Sequence, residues 1–334
     1  VTSELTERPS PSWPVRIAWS AHLLLRLGLA VYLLVYGWSK VFLIQMGRAD
    51  YGDALINYGE MSPMGLLWRM VGYSVPFQVL SGVAEVLAAA LLLWRRTAGV
   101  GAVIAAFDML FVFLLNQAYD VPVKQLSLAL AIGATVAAIP YVSRFLRAGF
   151  GSGAIPRGPI PTIVTGRVGT VLNVITPVLA IAVIIASGVL FRLSFPMPTE
   201  GHPLAGVYRV TEDRAEPAAQ LARDTRWQQV AFGQWIAGGK ARATIRLANG
   251  DLLIGTVRDS GPDSVRIELD PPLRGDTRAP DDPATTLSLR WAPAPDGTVR
   301  LTGDDQDLVL TPDPERRFLF DRDYSWDAQR PVNR

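Results

Sequence analysis

Residues 99–142 read GVGAVIAAFDMLFVFLL, then NQAYDVPVK, then QLSLALAIGATVAAIPYV. Two almost wholly apolar runs flank a short polar gap at 116–124. Each run approaches the roughly 20 residues that a helix needs to cross a hydrocarbon core. The gap holds an amide, a phenol, a carboxylate and an ammonium, with Pro122 between the charges. Pro122 lacks an N–H and favours an extended Val121, so one helix ends here and another begins. The plain reading is a capped turn at headgroup level, with Tyr119 and Trp38 as interfacial anchors.

Working outward, residues 17–40, 75–94 and 171–191 form further apolar segments, giving five spans with 99–116 and 125–142. The fourth is short and needs help from its neighbours. Small residues recur in SGVAEVLAAA and GVGAVIAA, as close helix packing in lipid prefers. The 334 residues are 49% apolar and 19% charged, with a mean hydropathy of +0.23. Most acids lie after about residue 195, which suggests two parts in two solvents. A net charge of +2 without a basic tract argues against nucleic acid as a partner.

Cysteine is absent, which excludes disulfides, thiolate-metal sites and Cys-ligated iron–sulfur clusters. The two histidines, His22 and His202, are far apart, so neither a His-rich metal site nor a bis-His haem is expected. Redox chemistry here would need a partner or a bound organic cofactor.

Lys and Arg set the orientation. With the N-terminus in the cytoplasm, the inside segments hold Arg8, Arg16, Arg95, Arg96, Arg144, Arg147, Arg157 and Arg167. The outside loops hold Lys40, Arg48, Arg69 and Lys124, and eight against four obeys the positive-inside rule. The N-terminal VTSELTERPSPSWPV lacks a signal-peptide layout. The expected plan is a cytoplasmic tail (1–16), a four-helix bundle (17–147), a cytoplasmic Gly/Pro-rich linker (148–170), a fifth transmembrane helix (171–192) and an extracytoplasmic β domain (200–334). The protein is thus expected in the cytoplasmic (inner) membrane, with the lipid bilayer as its first partner.

The β domain is read from alternation. ARATIRLANGDLLIGTVRD is two strands around Asn249-Gly250, a strong hairpin signal. SVRIELD, TTLSLRW, TVRLTG, DLVLT and RRFLFDR follow as further expected strands. Many short alternating strands imply an antiparallel barrel or sandwich.

Arg26, Glu85 and Asp108 fall well inside the spans. Counted from the cytoplasmic helix ends, all three lie about 14 Å deep at 1.5 Å per residue. The matched depth suggests one buried cluster in which Arg26 serves two carboxylates. Intramembrane charges are functional candidates by default, although a polar pin fixing helix register is the simpler role. His22, one turn before Arg26, reads as a satisfied neighbour. A second polar set gathers at the outer ends: Gln45 and Gln78, with Lys40, Asn116, Tyr119, Asp120 and Lys124 as an outward-facing polar pocket.

VFLIQM, SPMGLLWRMVGYS, SGVAEVLAAALLLWRRTAGVGA and NQAYDVPVKQLS, in that order, resemble a branch of the DoxX-like family of bacterial membrane proteins. The resemblance is carried by Lys40, residues 62–68, Gly82, residues 85–87, residues 95–97, Asn116 and residues 119–124, within about 20–147. It extends to a C-terminal β domain through TRWQQV around Trp227 and through the ending YSWDAQRPVNR, with Trp326, Pro331, Asn333 and Arg334. Val332 and Arg330 depart from the aromatic and the acid usual in that ending. The resemblance implies an association with a thiosulfate:quinone oxidoreductase subunit and with membrane complexes for oxidative stress. The expected function is a non-catalytic or accessory component of a membrane redox or envelope-stress system. A quinone is the candidate cofactor, and a membrane or extracytoplasmic protein the candidate partner. Two alternatives are a membrane-anchored β domain binding a lipid or apolar ligand, and a proton-coupled small-solute carrier.

Overall fold

Small side chains line the faces on which the helices meet. The computed structural model describes residues 12–151, 164, 166–271, 284–322, 327 and 330. Trp326, Pro331, Val332, Asn333 and Arg334 lie outside the described residues, as do most of the tail and of the linker. Among the described residues the helices are α1 (Trp13–Val41), α2 (Pro63–Tyr73), α3 (Val75–Leu93), α4 (Ala98–Ala118), α5 (Lys124–Ala138), α6 (Val142–Phe150) and α7 (Gly166–Ser194). Five stretches are long and apolar enough to cross a membrane: α1, α3, α4, α7 and the near-continuous Lys124–Phe150. The fourth span is therefore longer than its apolar stretch suggests.

The chain divides into two units. The first holds the described residues up to Gly47 and Ser62–Phe195. In it α1, α3, α4 and α5 form a four-helix bundle whose core includes Ala88, Ala89, Ala102, Ala105, Ala134 and Ala137, all 0% exposed. Between apolar helices in lipid there is little hydrophobic drive, so close backbone approach and good packing must hold them. The α7 helix joins α1, where Trp38 Nε1 donates to Ser187 Oγ at 3.0 Å and Phe42 stacks on Phe191.

The second unit holds Arg48–Met61 and the residues from Pro196 onward. Its strands are β1 (Thr199–Glu200), β2 (Gly206–Asp213), β3 (Trp227–Phe232), β4 (Trp235–Ile236), β5 (Ala241–Leu247), β6 (Leu252–Gly261), β7 (Ser264–Leu269), β8 (Thr285–Pro293), β9 (Val299–Gly303) and β10 (Gln306–Pro312). Eight of them close into an antiparallel barrel in the order β10-β2-β3-β5-β6-β7-β8-β9, while β1 pairs with β4. Closure removes the exposed edges that a sandwich would keep. The Asn249-Gly250 hairpin forms as read, with Gly250 at φ +93° and Arg246 opposite Leu252. The expected strand RRFLFDR does not form. Pro314–Arg317 is a 3₁₀ turn, and Phe318 and Leu319 stay 42% and 53% exposed. β10 already pairs with β2, so no edge is left for RRFLFDR to join.

Residues 48–61, assigned from sequence to the bundle, pack against the outside of the barrel. Inward-facing Tyr208, Val230 and Phe232 join the interior, while Val207 and Ala231 point outward and are covered by Leu55, 1% exposed. The segment is fastened by polar bonds. Glu60 accepts a two-pronged pair from Arg246 at 2.6 and 2.8 Å, Asp53 pairs with Arg242, and the Gly52 carbonyl accepts from Thr244 Oγ1. Asp50 Oδ1 accepts from the Gly52 and Gln234 N–H groups at 3.2 and 3.1 Å, and Gln234 Oε1 accepts from Tyr51 N.

Two carboxyls in this segment titrate in opposite senses. Arg246 holds Glu60 at about 2, below its ordinary 4.5. Its stabilising contribution is full above 4.5 and is lost as pH falls from there toward 2. Burial pushes Asp50 up from 3.8 to about 6, so its contribution grows as pH falls through 6 toward 3.8. Hydrogen exchange of peptides from 48–61 should therefore slow slightly from pH 7 to 5, after correction for intrinsic rates, and quicken below about 4. Asp50→Asn keeps the Oδ1 acceptor and should abolish the first limb, and Glu60→Gln should abolish the second. A profile unaltered by both substitutions would show that these groups do not hold the segment.

Candidate functional site

The close crossing of α1 and α3 is set by two glycines. A Cβ on Gly82 would lie 2.6 Å from the Gly37 carbonyl oxygen and 2.8 Å from Lys40 Cβ, and a Cβ on Gly37 would lie 2.8 Å from Val86 Cγ2. No side chain fits between the two backbones. One turn from this contact, Lys40 Nζ pairs with Glu85 Oε1. Lys40 is 4% exposed and Glu85 0%. Asp108, from α4, lies within electrostatic reach of both. Glu85 Oε2 and Asp108 Oδ2 are buried without a hydrogen-bond partner. Two carboxyl groups thus face one ammonium, leaving two acceptor oxygens unbonded.

The expected sharing of Arg26 between Glu85 and Asp108 is corrected. Arg26 Nε donates 2.8 Å to the Leu92 carbonyl, joined by Nη2, and Lys40 takes its place on Glu85. Equal counting from helix ends misleads because α1 has 29 residues and α3 has 19. The Gly37–Gly82 contact fixes the register and puts Arg26 level with Leu92, near the end of α3. From there to Glu85 is seven residues, about 10 Å along the helix.

The polar set at the other helix ends also divides. Lys40 belongs with Glu85. Asn116 Nδ2 donates 3.0 Å to Ser127 Oγ, which donates 2.9 Å to the Lys124 carbonyl. Lys124 pairs with Asp120, whose side chain is 76% exposed, and this neighbour holds the Asp120 carboxyl below its ordinary range. Asp120 sits at φ 50°, a left-handed position that ends α4. Val121 then turns inward, 2% exposed, against Leu67 and Val71 of α2, with Tyr119 packed beside them. The turn closes α4 onto α5 and anchors α2. Gln78, 0% exposed, accepts from Met46 N at 3.1 Å and donates to the Gly47 carbonyl at 2.9 Å, so it acts as a strand partner for the chain leaving α1. Ser127 and the Trp68 indole, which donates 2.9 Å to Gln45 O, were not legible as site residues, because each bonds a group remote in sequence.

No protein-family model and no solved structure matches the chain. A curated relative does. Uncharacterized protein YwoB of Bacillus subtilis (strain 168) is 36% identical over 107 residues, which are 32% of this chain and 68% of the relative. The chain belongs to the YwoB family. Membership brings no activity with it, since that relative is itself described as uncharacterized. The site must be argued from its own chemistry.

Among the described residues no group of three or more His, Cys, Asp or Glu could hold a metal ion. What the Lys40–Glu85–Asp108 trio offers is hydrogen bonding and proton exchange. Glu85→Ala should leave a buried ammonium facing Asp108 alone and cost roughly 3–5 kcal/mol of bundle stability. Adding Lys40→Met should recover part of that loss, whereas adding Arg26→Leu should not. Unfolding of the purified protein in mixed detergent reads the cycle, and strictly additive losses for Lys40 and Glu85 would show that the two are uncoupled.

Proposed function

We propose that the protein is a multi-pass component of the cytoplasmic membrane, DoxX-like in its bundle, that serves a redox or envelope-stress system without a complete catalytic apparatus of its own. The observation that carries this reading is the buried Lys40–Glu85 pair beside Asp108, with two carboxyl oxygens left unbonded. Such a site holds a polar head whose remainder is apolar, and a quinone fits that description. The Lys40 ammonium donates to a carbonyl, and a protonated carboxyl supplies a second donor. The sequence has no cysteine, so a partner would have to supply electrons to a quinone, or take them from the quinol. The bias of Lys and Arg supports an N-terminus inside and the barrel outside.

The alternative of an apolar ligand inside the barrel is disfavoured by the barrel's own packing. Phe232, Ile245, Ile267, Leu301, Leu308 and Leu310 are each 0% exposed and fill the interior. The trio would equally suit a proton-coupled carrier, which the same experiment separates.

Full-length protein in nanodiscs should be stabilised saturably by a short-chain quinone, and Lys40→Met should abolish the stabilisation while leaving the helical content unchanged. No stabilisation, or an equal one in Lys40→Met, would sink the quinone reading. For the topology, protease added outside spheroplasts should remove the barrel and spare the bundle. A C-terminus protected until the membrane is broken would refute it.

A further inference from the structure

The barrel carries a groove where the β6–β7 turn meets β8 and β9. Its volume is about 590 Å³, within the usual range of small-molecule sites. Ser264, Arg290, Trp291, Arg300 and Thr302 line it. Alternation puts Leu289 and Leu301 inside the barrel, so Arg290, Arg300 and Thr302 face outward. The strand register sets Arg290 opposite Ser264 on β7 and opposite Thr302 on β9. Directly opposed side chains in an antiparallel pair stand about 5 Å apart. The guanidinium is therefore flanked by a hydroxyl on each side. Trp291 N donates 2.9 Å to the Asp263 carbonyl, which holds the turn against β8.

The two arginines of the groove differ in what they already hold. Arg300 Nε and Nη2 donate to the Asp307 carboxylate at 2.8 and 2.9 Å, so its charge is compensated. Among the described residues the Arg290 guanidinium has no hydrogen-bond or ion-pair partner. Thr302 Oγ1 is likewise unbonded among them. Ser264 Oγ accepts from Ser260 Oγ at 3.2 Å, which leaves its own O–H to donate. An exposed arginine is often only a solvated charge. Here it stands in a concave groove with a hydroxyl on either side. A planar guanidinium with an O–H from each flank matches a carboxylate, whose two oxygens accept several bonds. Asp263, at the rim, opposes a second negative charge, so one carboxylate fits better than a phosphate or a dicarboxylate. Trp291, Ala292 and Pro293 supply an apolar wall beside the guanidinium.

We propose that this groove binds a small organic acid, a single carboxylate on an apolar body. The carboxylate accepts from the Arg290 guanidinium and from the Ser264 and Thr302 hydroxyls. The apolar body lies against Trp291, Ala292 and Pro293. The site belongs wholly to the unit that holds the barrel, so it is separate from the Lys40–Glu85 pair and does not depend on the quinone reading.

The test uses full-length protein in neutral detergent and isothermal titration with phenylacetate, with the uncharged phenylacetamide of the same shape, and with inorganic phosphate. Phenylacetate should bind saturably, and phenylacetamide about tenfold or more weaker. Arg290→Gln should raise the phenylacetate Kd about tenfold or more, and Thr302→Val about threefold, as loss of a charged and of a neutral hydrogen bond predict. Arg266→Gln removes an exposed cation of β7 outside the groove and should leave the Kd unchanged. No saturable binding of phenylacetate, equal binding of the amide, or an Arg290→Gln titration like that of the wild type would overturn the proposal. So would an equal loss in Arg266→Gln, which would reduce the effect to general surface charge. Phosphate binding as tightly as phenylacetate would overturn the assignment to a monocarboxylate. If Arg290→Gln fails to fold, Thr302→Val carries the comparison, and a titration unchanged in that variant overturns it.

Discussion

The ion pair between Lys40 and Glu85 constrains most of what surrounds it. Neither residue is more than 4% exposed, so neither charge can be satisfied by water. The pair survives only if α1 and α3 approach closely enough for a lysine to reach a carboxylate inside the bundle. Gly37 and Gly82 permit that approach. The same register sets Arg26 against the end of α3 and brings Asp108 of α4 toward the pair. An ion pair of this kind is weak evidence for stability, because an apolar pair of similar volume often does as well. Beside it, Glu85 Oε2 and Asp108 Oδ2 are buried without a hydrogen-bond partner, so the polarity of the trio is not used up within the bundle.

The second unit follows a different logic. Its barrel is filled by its own side chains and leaves its outer face on β2, β3 and β5 to be covered by residues 48–61. Leu55 supplies the apolar contact, and Glu60, Asp53 and Asp50 supply the bonds. The loop between α1 and α2 is therefore part of the barrel's structure. The chain joins the two units through this loop as well as through the segment after α7.

Much of this was legible in the sequence, for physical reasons. Apolar runs of membrane length are hard to mistake, and the Asn-Gly turn with alternating flanks announced the β5–β6 hairpin. The same alternation misread RRFLFDR, because pattern alone does not reveal that a barrel is already closed. The role of 48–61 was hidden, although VAF in β3 gave a hint: three consecutive apolar residues in a strand mean that both faces are covered. At the site, the pairing read from sequence differs from the pairing in the structure. Glu85 and Asp108 were singled out as intramembrane charges, yet Lys40 was placed at the outer rim and Arg26 in its stead. Depth counted from helix ends assumes helices of equal length, and here a glycine contact decided the register.

The direct test is the distance itself. Protein carrying Lys240→Met, so that the barrel's own Lys240–Glu268 pair gives no signal, labelled with ¹⁵N at lysine Nζ and ¹³C at glutamate Cδ and reconstituted in lipid bilayers, permits a dipolar recoupling measurement by solid-state nuclear magnetic resonance. The account predicts a strong lysine–glutamate coupling corresponding to about 4 Å or less, as an ion pair requires, that disappears in both Lys40→Met and Glu85→Gln. No such coupling, or one that survives both substitutions, would contradict the pair on which this reading of the bundle rests.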